Sequence, residues 1–280
     1  MNNRANLRPL DSFLTTCYNG RKGRDKKMAE AKETLVSSSE RSVNIDDYIK
    51  LYNKGVSLDK IKPLSNQTYK LFKQSGEDIR IVHRSQTYAN AGAFSKINHF
   101  MLSNDYFYMI PVTTIKGTIV GFIVRGVLKK DYGTISRTFS SYEKQVPLMY
   151  GFNKKFKEYE KEVEEKGRCL PIIVCEGSKD CLMLKQVYPY TLANNTSSMG
   201  INAQVLRNIS NKFLLAYDND SSGQEGIKRD KKTLRNLGAY VESLTLHDGF
   251  KDCADYFGHP DKFEELKAQI KEKLRKLYKI

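Results

Sequence analysis

Two strongly apolar runs lie in the C-terminal half of the chain. The runs LPIIVC at 170–175 and KFLLAY at 212–217 are typical of strands that are buried on both faces. The run AYVESLTL at 239–246 predicts a third strand, and residues 190–193 predict a short one. This half of the chain therefore contains a series of short, buried strands.

Helical segments are predicted between these strands. One extends from about Lys179 to Gln186, and a second from Ala203 to Ile209. A basic third helix ends at Gly238, because glycine is a natural stop at a helix C-terminus. Strands that alternate with helices predict a parallel, doubly wound sheet.

The preceding part of the chain has a different pattern. Two β-rich runs within residues 106–127 flank Lys116 and Gly117, which predicts an antiparallel hairpin. Residues 126–152 form a basic stretch that is rich in loops, and residues 152–168 predict a highly charged helix that connects two subdomains.

Helices are also predicted between residues 45 and 75. Apolar residues recur at helical spacing from Ile45 onward, and two further short helices are expected to join at Pro63. The last 20 residues form an amphipathic basic helix, whose apolar face we expect to pack on its own domain rather than on a partner. That face carries Phe263, Leu266, Ile270, Leu274 and Leu277.

These patterns give an α/β fold in which a parallel sheet flanked by helices follows a smaller α+β subdomain with an antiparallel hairpin. We expect a flexible basic arm at 1–44 and the smaller subdomain with its helical connector at 45–167. The parallel sheet occupies 168–260, and the C-terminal helix occupies 261–280.

The charge of the chain indicates a polyanionic partner. Lys and Arg number 47 against 32 Asp and Glu, a formal net charge of +15. Nucleic acid is the first candidate and an anionic membrane surface the second, while the alternative is a basic protein with no such partner.

Targeting signals and cysteine pairs do not change this interpretation. The polar start lacks the apolar segment of a signal peptide, and no window reaches the length of a membrane span. Five scattered cysteines without a CxxC pair argue against a zinc ribbon or a disulfide framework, so no zinc is expected. We expect reduced thiols in the cytoplasm, with Cys175 inside a buried strand.

Acidic residues follow the predicted buried strands. Glu176 comes directly after the first strand, Asp218 and Asp220 follow the second, and Asp252 follows the third after a short loop. Because ligands bind at the carboxyl ends of parallel strands, these acids are expected to converge on one cleft. Asp180 lies in the first turn of the next helix and is expected to point into the same cleft.

The spacing of these acids favours a divalent cation. Asp218 and Asp220 are two residues apart in extended chain, so their carboxylates share one face and repel each other unless a cation lies between them. Hard carboxylate oxygens suit Mg²⁺ or Mn²⁺. Any one of these acids alone is equally well explained as a helix cap or a surface residue. The acids after the first strand and those after the second strand, taken together, favour metal-dependent phosphoryl transfer.

The segments IIVCEGSKD, LLAYDNDSSGQEG and FKDCADYF resemble the three acidic motifs of the toprim domain, over about residues 168–260. Upstream, IPVTTIKGTIVGFIVR and ISRTFSSYE followed by LMYGF resemble the catalytic core of bacterial and phage-type DNA primases. Topoisomerases and small toprim nucleases do not share this upstream part. The resemblance thus favours a primase core over the other toprim proteins. It also implies that the parallel sheet is of the toprim type.

The resemblance implies roles for individual residues. Glu176 is a candidate general base or metal-adjacent acid, Asp218, Asp220 and Asp252 are candidate Mg²⁺ or Mn²⁺ ligands, and Asp180 supports the site. Candidate residues for binding template or nucleotide phosphates are Arg125, Arg137 and Lys179. The implied activity is synthesis of short RNA primers from rNTPs on single-stranded DNA, in concert with a replicative helicase.

This sequence also departs from the family pattern. Primases of this type usually begin with a zinc-binding domain, and no cysteine and histidine cluster is present here, so that function is expected from a separate protein. Ser140 stands where the family usually has asparagine. Two alternatives remain: a toprim-family metal-dependent nuclease, and a non-catalytic nucleic-acid-binding replication accessory.

Overall fold

The computed structural model describes residues 44–88, 93–94, 97, 104–114, 117–127, 132–136, 149–152, 156–194, 200–201 and 203–279. All of them belong to one compact unit, Val43–Ile280. The predicted arm at 1–44 lies almost wholly outside the described residues.

The described residues form two sheets. The strands are β1 (Val56–Ser57), β2 (Arg80–His83), β3 (Tyr106–Thr113), β4 (Ile119–Gly126), β5 (Tyr132–Ser136), β6 (Ile172–Cys175), β7 (Thr191–Ala193), β8 (Lys212–Ala216) and β9 (Tyr240–Ser243). The α-helices are α1 (Ile45–Lys54), α2 (Gln67–Ser75), α3 (Ser85–Tyr88), α4 (Lys157–Lys166), α5 (Ser178–Lys185), α6 (Ala203–Ile209), α7 (Ser221–Asn236) and α8 (Pro260–Tyr278), with 3₁₀ turns at Leu58–Lys60 and Cys253–Tyr256.

The predicted hairpin is confirmed and lies within a larger antiparallel sheet. Strands β3 and β4 pair along their whole length, with Ile110 opposite Ile123, and the full order is β1-β2-β3-β4-β5. Gly117 adopts a φ of 85° in the connecting turn, a left-handed conformation that glycine tolerates without strain.

Both faces of the hairpin are covered. Phe107 and Met109 pack in one core with Tyr48 and Tyr52 of α1. Tyr108, which points to the opposite face, meets the ring of Phe72 on α2 edge-to-face, with ring centroids 4.9 Å apart. Burial on both faces explains why β3 and β4 read as continuous apolar runs instead of alternating ones.

One interpretation made from the sequence is wrong in this part, and one strand was not predicted. Within the loop-rich stretch at 126–152, residues 132–136 form strand β5, which pairs with β4. The two short helices expected to join at Pro63 are not as predicted: a short strand and a single 3₁₀ turn precede the proline, and α2 begins only after Asn66. Pairing of short edge strands depends on backbone hydrogen bonds to a neighbour, which hydrophobic periodicity does not show.

The predicted parallel sheet is confirmed. Its order is β7-β6-β8-β9, and every neighbouring pair runs parallel. Strands β6 and β8 are buried along their whole length, including Cys175, as expected for central strands of a sheet flanked by helices.

The C-terminal helix packs on its own domain, as predicted. Helix α8 contacts β8 and β9, and its five apolar positions identified from the sequence are all buried. None of the helices in the described part of the chain is long and apolar enough to span a membrane.

The two sheets are joined through contacts on β7 and α5. Tyr150 forms an antiparallel bridge with Ala193 of β7, and its backbone N–H donates to the Ala193 carbonyl at 2.9 Å. Gly151 has a φ of 121°, and an added Cβ there would lie 2.5 Å from the Thr191 carbonyl oxygen, so this close approach requires glycine. Lys185 of α5 forms a largely buried ion pair with Glu77, which follows α2, at 3.2 Å.

Candidate active site

The central strands of the parallel sheet bring the first two acidic motifs together. Cys175 at the end of β6 is in register with Ala216 at the end of β8. Glu176 therefore emerges beside the segment that leads to Asp218, and its Oε1 accepts a hydrogen bond from the Asp218 backbone N–H at 3.2 Å. The two carboxylates meet at the carboxyl edge of the sheet, where open α/β folds bind ligands.

Asp220 is fixed by its place at the start of α7. It is the N-cap residue, and its Oδ1 accepts from the Gly223 N–H at 2.9 Å. A Cβ added at Gly223 would lie 2.1 Å from the Asp218 carbonyl oxygen, which no side chain can accommodate. Glycine at this position thus lets the helix begin directly under the Asp218 backbone.

The third acidic motif is carried to the same edge by the loop after β9. The Asn219 N–H donates to the Lys251 carbonyl at 2.7 Å, which ties this loop to the end of β8. Asp252 caps the following 3₁₀ turn by accepting from the Asp255 N–H at 2.9 Å, and Asp255 completes a capping box. Lys251 reaches over the motif and pairs with Asp220, with Nζ and Oδ2 3.4 Å apart.

Asp180 is buried under this arrangement. It lies in the first turn of α5, is only 6% exposed, and accepts from the Ala254 N–H at 2.9 Å. A Cβ at Gly177 would lie 2.7 Å from Asp180 Oδ2, so glycine leaves room for the carboxylate at the turn after β6. Asp180 therefore connects the first and third acidic motifs on the buried side of the site.

Crowding of these carboxylates changes their acidity. Burial, followed by the charges of Glu176, Asp252 and Asp220, raises the pKa of Asp218 to about 7. Burial, followed by the charges of Asp252 and Asp218, raises the pKa of Asp180 to about 8. Burial also raises the pKa of Glu176. These three carboxyl groups keep their protons to a higher pH than usual because burial and mutual repulsion disfavour their charged forms. A bound cation would offset both effects.

Asp220 behaves in the opposite way. The hydrogen bond from the Gly223 N–H, together with the hydrogen bond and charge of Lys251, lowers the pKa of this carboxyl group. Asp220 is thus ionised where Asp218 and Asp180 resist ionisation, and it provides the most readily available anionic oxygen of the cluster.

Three cysteines line the buried side of the site. Cys175, Cys181 and Cys253 are buried and not disulfide-bonded. Burial raises the pKa of the Cys175 and Cys253 thiols well above the usual value, so these thiols are poor nucleophiles and act as apolar packing beneath the carboxylates.

The predicted phosphate-binding residues have different locations. Lys179 is half-buried beside Asp180 in α5, where its charge opposes the rise in the Asp180 pKa. Arg125 lies on β4 of the antiparallel sheet, between Tyr108 and Tyr132 in register. Arg137 lies outside the described residues.

Two basic residues near the carboxylates were not identified from the sequence. Lys251 contacts Asp220. Burial raises the pKa of Glu176, and the charge of Arg229 on α7 partly opposes that rise. Lys251 could have been identified from the sequence because it directly precedes Asp252. Arg229 could not, since it is one of 47 basic residues and no motif singles it out.

The donor set suits a hard divalent cation that is only partly held by protein. Carboxylate oxygens are hard ligands that favour Mg²⁺ or Mn²⁺. Among the described residues, however, no three acidic, histidine or cysteine side chains are grouped so that they could hold a metal ion by themselves. Mg²⁺ is commonly held by one or two carboxylates while water and substrate phosphates complete its coordination, and the pair Asp218 and Asp220 fits that mode.

Comparisons with known proteins cover the region that contains this site. Residues 173–257, which contain all five acids, match the family described as toprim-like. A DNA primase of Clostridium acetobutylicum is 27% identical over 146 residues, which amount to 50% of this chain and 23% of that protein. The chain thus corresponds to less than a quarter of that relative's length.

Solved structures extend the likeness upstream. A DnaG primase catalytic domain bound to single-stranded DNA superposes with a TM-score of 0.54 at 17% identity, over 82% of this chain and 80% of that one. The primase fragment of the bacteriophage T7 primase-helicase gives a TM-score of 0.52 at 14% identity, over 86% and 85% of the two chains.

Residues 173–257 therefore form a toprim-like domain, with a parallel sheet that ends in an acidic cleft. More narrowly, the antiparallel and parallel sheets of the chain together have the fold of a bacterial and phage-type primase catalytic core, and the resemblance expected from the sequence is confirmed.

Proposed function

We propose that this chain is a DNA primase core that joins rNTPs into short RNA primers on single-stranded DNA. The observation that carries the proposal is the convergence of acids from three strand ends, with the pKa of Asp218 raised to about 7 by burial and neighbouring carboxylates. A nucleic-acid-binding protein without catalysis has no reason to direct crowded acids at an anionic ligand. A phosphoryl-transfer site does, because cations bridge acids and phosphate oxygens.

In this proposal each acid has a distinct role. Asp218 and Asp220 would hold Mg²⁺ or Mn²⁺, with Asp252 beside them, and a cation held there would supply neutralisation of the charge that develops on phosphoryl oxygens. Glu176 lies against the Asp218 backbone and is placed to accept the proton of the attacking hydroxyl. Asp180 keeps the first and third motifs together through its bond to Ala254.

The rest of the chain supports a nucleic-acid substrate. The net charge of +15 favours a polyanion and predicts strongly salt-sensitive binding of single-stranded DNA. The likeness to a primase domain bound to single-stranded DNA and to a primase-helicase fragment is consistent with this assignment and with a replicative helicase as partner. We further propose that Arg125, Arg137 and Lys179 contact template or nucleotide phosphates, and that a separate protein provides the zinc-domain function.

The direct test is incorporation of labelled rNTPs on single-stranded DNA of random sequence with Mg²⁺ or Mn²⁺. The wild type is compared with an Asp218→Asn/Asp220→Asn variant. A matched control, Asp248→Asn/Asp261→Asn, makes the same charge change at exposed positions. We expect short RNA from the wild type and the control, and a loss of at least about 10³-fold in the site variant.

Other outcomes separate the alternatives. Cleavage of the template that disappears in the site variant would identify a toprim nuclease. Extension of a pre-annealed RNA primer without primer initiation would mean that start-site selection requires another protein. The catalytic proposal fails if the wild type neither makes, extends nor cuts nucleic acid while binding single-stranded DNA, which is the accessory alternative.

A further inference from the structure

The outer face of helix α7 carries a row of cations that the acidic cleft does not use. Four basic residues follow one another at three- and four-residue spacing, which places them on one face of the helix. They are Lys228, Lys231, Lys232 and Arg235, and we call them the α7 basic row. Three of them are exposed and Lys231 is half-buried. Their side chains line one groove on the surface.

No carboxylate in the described part of the chain neutralises this row. Its three lysines form no ion pair and no side-chain hydrogen bond with any residue that the structure describes. The side chain of Arg235 donates to a backbone oxygen, the Val241 carbonyl, at 3.3 Å. Asp230, the acid within the same stretch of helix, is buried and faces Arg229 on another side of α7.

The basic residues of helix α8 are arranged differently. Lys262, Lys267 and Lys276 pair with glutamates on their own helix, with N···O distances of 2.9, 2.6 and 2.8 Å. Such mixed charge is typical of a helix face that is only solvated. Like charges at three- and four-residue spacing repel each other, and the helix dipole favours a cation only in the last turn, where Arg235 lies. The unmixed row on α7 therefore suits an anion from outside the chain.

The row extends away from the acidic cleft along the helix axis. Helix α7 begins at its N-cap Asp220, which is one of the acids of the cleft. At the rise of an α-helix, Lys228 lies about 12 Å and Arg235 about 22 Å further along the axis. At the far end Arg207 of α6 adds a cation, since its Nε donates to the Leu237 carbonyl at 3.0 Å. A path of positive charge thus leads outward from the cleft.

A nucleic-acid strand fits this row better than a membrane surface does. A helix that lies on a membrane presents apolar side chains beside its cations. The apolar side chains within this part of α7, Ile227 and Leu234, are buried in the protein instead. A phosphate backbone requires only cations at regular spacing, and a row about 10 Å long covers about three phosphates of one strand at ~3.4 Å each.

We propose that the α7 basic row binds the phosphate backbone of single-stranded DNA beside the cleft. The inference rests on the proposed function for the identity of the strand, which is the template. It adds to that function a binding surface that is separate from the catalytic acids. Because the contacts are made to phosphates, binding at this row is independent of base sequence and sensitive to salt.

The test is equilibrium binding of a fluorescent oligothymidylate of about 20 nucleotides, which is longer than a typical single-strand site. Chelator is present, so that neither metal nor turnover is required. Lys228→Gln/Lys231→Gln/Lys232→Gln is expected to weaken binding roughly ten- to hundred-fold at ~0.1 M salt. The slope of log K against log salt concentration should become shallower by roughly two, since three phosphate contacts are lost.

A matched control removes the same charge from another helix. Lys262→Gln/Lys271→Gln/Lys276→Gln replaces three exposed lysines of α8 and should leave both the affinity and the salt slope close to those of the wild type.

Two further measurements protect the test against misfolding. The glutamine variant of the row should have a thermal midpoint equal to or above that of the wild type, because repulsion within the row is relieved. Lys228→Arg/Lys231→Arg/Lys232→Arg keeps the three charges and should retain the affinity for the oligothymidylate.

The outcomes are distinct from those for the proposed function. The inference is overturned if the glutamine variant of the row binds the oligothymidylate as the wild type does, if the α8 control loses as much affinity, or if the wild type does not bind it. A loss confined to duplex DNA or to vesicles that contain phosphatidylserine would also overturn it, since the row would then serve another polyanion. Loss of single-strand binding in a chain that makes no primers would support the inference and reject primer synthesis.

Discussion

The acids of the cleft differ in how readily they ionise, although they are close together. Asp220 is stabilised as an anion by the Gly223 N–H and by Lys251, whereas burial and neighbouring charges keep Asp218 and Asp180 protonated to a higher pH. A cation that enters the cleft must displace those protons, so its binding and the protonation of Asp218 are linked.

This linkage predicts that the free energy of unfolding of the metal-free protein depends on pH. The Asp218 carboxyl group holds its proton to about pH 7 when folded but only to about pH 4 when unfolded. The folded state binds more protons in that window, so the free energy of unfolding falls as pH rises through it and levels off above the folded pKa. We expect the stability of the wild type relative to Asp218→Asn to decrease from about pH 5 to about pH 8.

The measurement is thermal or urea unfolding of both proteins in chelator at several pH values. Added Mg²⁺ should stabilise the wild type more at about pH 8 than at about pH 5.5, since the carboxylates are then free of protons. A stability difference that stays constant with pH would contradict the assignment of a raised pKa to Asp218.

Among the elements, the strand-to-helix turn from β8 to α7 controls the site most closely. Its geometry depends on Gly223, which packs against the Asp218 backbone, and on the cap formed by Asp220. A substitution in this turn would therefore move both Asp218 and Asp220 without changing the chemistry of either side chain.

Gly223→Ala is therefore expected to be disruptive. The new methyl group would meet the Asp218 carbonyl oxygen at 2.1 Å, so the turn must shift. We expect a loss of roughly 1–3 kcal/mol in the free energy of unfolding and a larger loss of metal affinity. Ser222→Ala, an exposed neighbour, serves as control. Urea unfolding and metal titration that show wild-type behaviour for Gly223→Ala would disprove this view of the turn.

The elements also show which parts of the fold a sequence can predict. Strands β6 and β8 were predictable because burial on both faces produces continuous apolar runs, and the acids after them followed from parallel topology. Strands β1 and β5 were not, because two and five residues on a sheet edge carry no such signal. The hydrogen bond from the Tyr217 hydroxyl to Asp230 is a tertiary contact, which residue spacing does not show.

At the scale of the whole molecule, segments next to the antiparallel sheet contact the parallel sheet and its helix α5. These contacts include the Tyr150 bridge to β7 and the ion pair between Lys185 and Glu77, whose side chains are 10% and 22% exposed. Lys185 also lies over the Tyr150 ring, 5.5 Å from its centroid.

This ion pair between Lys185 and Glu77 should contribute more to the free energy of unfolding than an ion pair on the surface. A double-mutant cycle with Lys185→Met and Glu77→Gln is expected to give a coupling of about 1–2 kcal/mol in the free energy of unfolding. The exposed pair Lys161 and Glu165 on α4, with side chains 77% and 60% exposed, should give about 0.3–0.5 kcal/mol. Equal couplings in the two cycles would argue against a structural role for this contact between the sheets.

Both primer synthesis and the nuclease alternative require that the carboxylates at the three strand ends hold a divalent cation. The most direct measurement is Mn²⁺ titration followed by the electron paramagnetic resonance signal of the free ion. We predict Mn²⁺ binding by the wild type and by Asp248→Asn/Asp261→Asn, displaced by Mg²⁺, and roughly ten-fold or more weaker binding by Asp218→Asn/Asp220→Asn. Equal Mn²⁺ affinity in all three proteins would contradict the account.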